Sequence, residues 1–124
     1  MSTLPGKALK AALNRLRRRY PRYRCEFPVA VSLFAGDGRQ QLNAHCRDLS
    51  EAGIGVLIAA ELSPGDVASL TFTLPGITEA WEARAVLRHR RGFHYGFEFL
   101  SLSSQQIKLL QGYLPSLERS DCEE

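Results

Sequence analysis

From Glu26 to Phe99 the chain alternates apolar and polar side chains in short runs separated by turn residues. Phe27, Val29, Val31 and Leu33 form the first run against Glu26, Pro28, Ala30 and Ser32, the pattern of a strand with one buried face. Pro28 has no N–H to give to a ladder, so this strand is expected at a sheet edge or bulged there. Gly36-Asp37-Gly38 supplies the positive-φ residues of a hairpin turn. Further strands are expected over about 40–47 and 54–60, followed by the turn Ser63-Pro64-Gly65-Asp66. Leu70, Phe72 and Leu74 then alternate with Ser69, Thr71 and Thr73, and after Pro75-Gly76 so do Trp81, Ala83, Ala85 and Leu87 with charged neighbours. Gly92 breaks the next connection, and Tyr95, Phe97 and Phe99 face one way in a sixth strand. Six strands at roughly ten-residue spacing predict a small antiparallel barrel or sandwich.

A helical period flanks the strands on both sides. Leu9, Leu13, Leu16 and Tyr20 share one face of an N-terminal segment that Pro21 closes, with Ala8 and Ala12 beside them. Residues 1–16 therefore read as a basic amphipathic helix, which either packs on its own domain or lies on a membrane surface. At the other end Ser103 or Ser104 can cap a helix, Gln106 sits near the capping-box position, and Ile107, Leu110 and Leu114 share a face up to Pro115. One barrel domain with its C-terminal helix is expected over 17–117, with a polar, acidic, frayed tail over 118–124.

Composition narrows the class. At 124 residues, 44% hydrophobic and 23% charged, the chain is the size and make-up of one soluble domain with a single core. No apolar run approaches the ~20 residues that cross a bilayer, so no transmembrane segment is expected. The N-terminus lacks the apolar stretch of a secretory signal, and three cysteines make no disulfide framework, so a cytoplasmic protein is expected. Charge is unevenly placed. Eight of the 16 basic residues stand within residues 1–24 without one acidic residue, leaving eight basic against 13 acidic side chains in the remainder. A basic arm on an acidic body suits an anionic partner, or else it is a solvated face that keeps the protein soluble.

Catalytic chemistry is missing. His45, His89, His94, Cys25, Cys46 and Cys122 have no CxxC or other metal-ligand spacing, and no metal or cofactor is expected. Cys25 and Cys46 read as small core residues rather than nucleophiles. The nucleophile elbow, the P-loop and the dinucleotide glycine fingerprint are absent, so the chain is not expected to be an enzyme.

Two segments carry recognition chemistry. In Arg17-Arg18-Arg19-Tyr20-Pro21-Arg22 several guanidinium forks, each suited to phosphate oxygens or to guanine O6 and N7, precede the first strand. In Asp48-Leu49-Ser50-Glu51-Ala52-Gly53-Ile54-Gly55, Asp48 can accept from a guanine N1–H and N2–H₂ edge, and Ser50 both donates and accepts. Gly53 and Gly55 let a flat ligand approach the backbone. The same loop also reads as an Asx/ST turn that staples a hairpin.

Arg18-x-x-x-Arg22, followed about 26 residues later by Asp48-x-Ser50-x-x-Gly53, resembles the PilZ domain, the bacterial receptor module for cyclic di-GMP. Tyr95-Gly96-Phe97-Glu98-Phe99 and the final helix resemble the family too, over roughly residues 17–114. The resemblance implies a mainly all-β fold, a six-stranded antiparallel Greek-key-like barrel with a C-terminal helix; the N-terminal helix is not a fixed family feature. It further implies that Arg18 and Arg22 hold phosphates and guanine edges, assisted by Arg17 and Arg19, while Asp48, Ser50 and Gly53, with Gly55, cradle a guanine. Arg17, the residue before the first motif arginine, would favour binding of a stacked pair of ligands. Arg88 and Arg90, in Arg88-His89-Arg90-Arg91, lie where the family contacts a second base, or on a solvated strand end.

The expected function is that of a non-catalytic cyclic di-GMP receptor or adaptor. Its arginine segment would close over the nucleotide and change the surface offered to an unidentified downstream protein. The alternatives are a PilZ-fold interaction module that works without nucleotide, and a small nucleic-acid-binding barrel. Nucleic acid is not the expected partner, because the aromatics alternate as core residues and the body is acidic.

Overall fold

The alternating runs pair into hairpins and then close on themselves. The structure, a computed structural model, describes residues 20–35 and 38–119. In chain order the elements are β1 (Tyr23–Arg24), β2 (Pro28–Ala35), β3 (Gly38–Leu49), β4 (Gly53–Ile58), β5 (Val67–Thr73), β6 (Ala80–Arg91) and β7 (His94–Ser101). Helix α1 (Ser104–Tyr113), a 3-10 turn (Leu114–Ser116) and β8 (Glu118–Arg119) follow. The order β2-β5-β6-β7-β4-β3, with β3 returning to pair with β2, is a closed six-stranded antiparallel barrel. Strands β1 and β8 extend the sheet past the end of β3, with Tyr23 between Leu49 and Arg119. No helix among the described residues is long and apolar enough to cross a membrane.

Closure corrects the reading of Pro28 as an edge or bulge residue. It is the first residue of β2, opposite His45, in a strand that is paired on both sides. A proline that opens a strand leaves the ladder's later N–H groups intact.

The inward side of each run fills the barrel. Val31, Leu49, Ile54, Val56, Leu70, Ala85 and Leu87 are fully buried, and Phe27, Phe72 and Trp81 pack in series with ring centroids 5.4 and 5.9 Å apart. Phe99 is only half-buried at the rim of this core. Cys25 and Cys46 lie in the core as free thiols with their Sγ atoms 3.3 Å apart. The hydrogen bond with Cys25, and then burial, push the Cys46 thiol far above its ordinary range, so it is an uncharged core group.

Tyr95 is fully buried, and its hydroxyl donates to the Ala60 carbonyl at 2.6 Å and accepts from the Leu62 N–H at 3.1 Å. It fixes the loop that leaves β4. Tyr95→Phe strands both loop groups, and the expected cost is about 2–3 kcal/mol in urea unfolding. A cost below about 0.5 kcal/mol would show that water replaces the hydroxyl.

Helix α1 starts on a capping box in which Ser103 Oγ accepts from Gln106 N and Gln106 Oε1 accepts from Ser103 N. Leu110 and Leu114 are buried, but Ile107 is 37% exposed, so the packed face is narrower than the spacing predicts. Glu118 and Arg119, expected to fray, instead pair with β1. The helix expected over 1–16, Arg17, Arg18, Arg19, the turn residues Gly36 and Asp37, and the tail beyond 119 lie outside the described residues.

Candidate functional site

The loop expected between Asp48 and Gly55 is shorter than its sequence suggests. Asp48 and Leu49 still belong to β3, Gly53 and Gly55 already belong to β4, and only residues 50–52 connect them. Ser50 makes this tight turn possible. Its N–H donates to the Gly53 carbonyl at 2.9 Å, and its Oγ accepts from the N–H groups of Ala52 and Gly53, both at 3.1 Å. An ST turn of this kind satisfies backbone groups that the hairpin would otherwise leave unpaired.

A register shift between Cys46 and Asp48 re-aims the end of β3 and sets Asp48 opposite Gly55. Gly55 stands opposite Gly96 of β7, and Gly96 opposite His89 of β6. Asp48, Gly55, Gly96 and His89 thus form one row across four strands on the outer face of the barrel. Its two central members have no side chains, so the outer two lie over them. A Cβ on Gly55 would stand 2.8 and 2.9 Å from the Asp48 carboxylate oxygens, and one on Gly96 would run into the His89 ring.

Arg22, just ahead of β1, completes the arrangement. Its Nη1 donates to Asp48 Oδ1 at 2.6 Å, and the two side chains are only 20% and 17% exposed. A partly buried charge-assisted bond of this length is of the strong kind. His94 Nε2 lies 3.8 Å from the other carboxylate oxygen, Oδ2. Beside the pair is an open depression of about 560 Å³, lined by Arg22, Ala52, Gly53, Arg88, His89, Gly96, Phe97 and Glu98.

Of the residues picked out by sequence, Arg22, Asp48 and Gly55 come into direct contact, and Gly53 and Arg88 line the depression. Arg88 Nε donates to Glu98 Oε1 at 2.6 Å. Arg90 is directed away, with Nε donating to the Gly92 carbonyl at 2.7 Å and Nη2 3.6 Å from Glu61. Ser50 is 3% exposed, with its hydroxyl engaged inside the turn. Gly53 has its missing side chain directed at the Phe97 carbonyl, where a Cβ would collide. The sequence points to His89 only as a member of the segment Arg88-His89-Arg90-Arg91, and it gives His94 and Gly96 no site role. The signal for Gly96 was available, because a glycine between Tyr95 and Phe97 in a strand marks close approach of another group. No cluster of three or more metal-ligating side chains occurs among the described residues.

Known proteins share this architecture. The solved PilZ domain with c-di-GMP of YcgR from Escherichia coli is 26% identical, with TM-score 0.62, over 82% of this chain and 91% of that one. YcgR from Escherichia coli in complex with c-di-GMP is 28% identical, with TM-score 0.63, over 81% of this chain and 45% of that one. The Bacillus subtilis inhibitor of motility, MotI/DgrA, shares the fold at 22% identity and TM-score 0.63, over 81% of this chain and 50% of that one. The chain thus spans half or less of these last two proteins. Among curated proteins none matches it significantly. The family model for the PilZ domain matches residues 16–115, from the arginine segment through the barrel to the turn after α1, and this chain belongs to the PilZ domain family.

Proposed function

We propose that this protein is a non-catalytic receptor for cyclic di-GMP, one that reports the bound nucleotide to a protein partner. The observation that carries the reading is the 2.6 Å contact between Arg22 and Asp48, which brings the two motif segments, 26 residues apart, to one edge of a depression. Two structural neighbours at 26% and 28% identity hold c-di-GMP, which supports the same ligand class here.

The chemistry follows from the donors and acceptors at this edge. Asp48 is acceptor-only and complements the N1–H and N2–H₂ edge of guanine, whereas the Arg22 fork complements phosphate oxygens or guanine O6 and N7. Arg17, Arg18 and Arg19, which precede Arg22 in the chain, add cationic donors for the phosphates. Ser50 acts through the turn, holding the Ala52 and Gly53 amides that form the lip of the depression. Gly55 and Gly96 keep the floor at backbone height, so that a planar base can come close once His89 turns aside. Closure of the arginine segment over the nucleotide would then alter the surface shown to the partner, by as much as the ligand's affinities for the open and closed forms differ.

Thermal unfolding tests the reading directly. Cyclic di-GMP at a hundred times its Kd is expected to stabilise the fold by about 2.7 kcal/mol, a rise of several degrees in Tm, while GMP and GTP at equal concentration give none. Equal shifts with all three, or no shift at millimolar cyclic di-GMP, would remove the ligand assignment.

A further inference from the structure

The barrel wall formed by β2, β5 and β6 carries a second hollow, whose lining shares no residue with the depression beside Arg22. The outer faces of β2, β5 and β6 enclose a hollow of about 500 Å³. Its floor is made of small side chains in cross-strand pairs, Ser32 opposite Ser69 and Ala30 opposite Thr71. One wall is Phe34, a half-buried ring on the outside of the barrel. The Arg39 Cζ lies 5.0 Å from its centroid, and the Arg84 Cζ lies 5.3 Å from the same point. Register places them there, since Arg39 stands opposite Phe34, and Arg84 stands opposite Ser69 one strand further on.

Neither guanidinium forms a salt bridge among the described residues. The single carboxylate lining the hollow, Glu82, accepts instead from Ser69 Oγ at 3.1 Å. Two like charges are therefore drawn to one aromatic ring, by cation–π attraction and against their mutual repulsion, with their planar N–H forks not spent on a carboxylate. Residues 25–124 carry eight basic and 13 acidic side chains, so this positive spot stands out locally from an acidic body.

We propose that this face docks a partner protein through an acidic peptide segment. Carboxylates of the peptide seat on Arg39 and Arg84, an apolar side chain rests against Phe34, and its extended backbone bonds to Gln41, Ser32 and Thr71. Guanidinium and aromatic groups around a desolvated centre are the usual anchors of such contacts, and small floor residues let a backbone come close. A polynucleotide suits the face less well. The hollow holds one aromatic ring, Phe34, and a single ring offers no succession of platforms on which consecutive bases could stack. The inference stands apart from the nucleotide reading, because no residue lining this hollow also lines the depression beside Arg22.

The test is a titration of the ¹⁵N-labelled full chain, at low salt, with a capped peptide alternating glutamate with leucine and alanine. Saturable shifts are expected at Ser32, Phe34, Ser69 and Arg84, with at least a tenfold loss of affinity in the Arg39→Glu/Arg84→Glu double variant. Both arginines are solvent-exposed, so the variant is expected to stay folded, with a Tm only a few degrees lower from the lost ring contacts, and to keep its response to cyclic di-GMP. The same peptide with lysine for glutamate should not bind. The proposal fails if the shifts map elsewhere, if the double variant binds equally well, or if no saturable shift occurs. It fails equally if inorganic phosphate or a single-stranded oligonucleotide binds this face as tightly as the peptide.

Discussion

Arg22→Ala is expected to weaken cyclic di-GMP binding by about 10- to 100-fold, as measured by isothermal titration. A charge-assisted bond contributes about 1.5–3 kcal/mol, and each 1.4 kcal/mol is a factor of ten. Asp48→Ala should lose a similar factor, because it removes the acceptor for the guanine edge and also the group that holds Arg22 in place at 2.6 Å. The two losses should not add. Side chains in contact share their energy, so the double variant should bind only slightly worse than the weaker single one. Arg22→Lys separates fork from charge. If a planar two-pronged donor is needed, lysine restores little of the affinity. Full affinity in Arg22→Ala and Asp48→Ala together would disprove the site. Strictly additive losses would mean that the two side chains serve independent parts of the ligand.

Gly53→Ala should be the most damaging single methyl addition in the barrel. A Cβ at this position meets the Phe97 carbonyl, which is backbone in a paired strand and has nowhere to yield. Overpacking against main chain costs about 3 kcal/mol here, at the top of the usual range, and on a domain of this size the Tm should fall by roughly 10–15 °C. Gly55→Ala is the informative control. The atoms nearest its Cβ belong to the Asp48 carboxylate, the end of a side chain that can swing, so stability should fall much less while ligand affinity suffers. If Gly53→Ala unfolds no earlier than Gly55→Ala, the close approach of β4 to β7 is not what requires glycine at 53.

Most of the barrel was legible as alternation, because inward positions such as Val29, Val31 and Leu33 must be apolar when one face of a strand is buried. The capping box at Ser103 and Gln106 was legible for a local reason, since it depends on residues three apart. What escaped was set by distant partners. Pro28 looked like an edge marker because nothing local says that β2 closes against β3 and β5. The end of β3 was placed early because the register shift beside Asp48 depends on β4, not on the residues around Asp48. The candidate site divides in the same way. Arg22 and Asp48 were named from chemistry and spacing, and the structure puts them in contact. Ser50 and Gly53 turn out to be engaged by the hairpin itself, which composition alone could not separate from ligand contact. The particular role of His89 is not legible in its segment, because its place over Gly96 exists only once β6 and β7 pair.

Strand β1 is two residues long, yet it is clamped on both flanks, by Leu49 and Asp48 on one side and by Arg119 and Glu118 on the other. The stretch that follows Arg22 is thereby paired with residues about a hundred positions downstream along the chain. So short a seam is expected to open before the six-stranded cylinder, since few main-chain pairings hold it. Strands β1 and β8 are therefore expected to open together, so that a ligand holding Arg22 should raise the hydrogen-exchange protection of both.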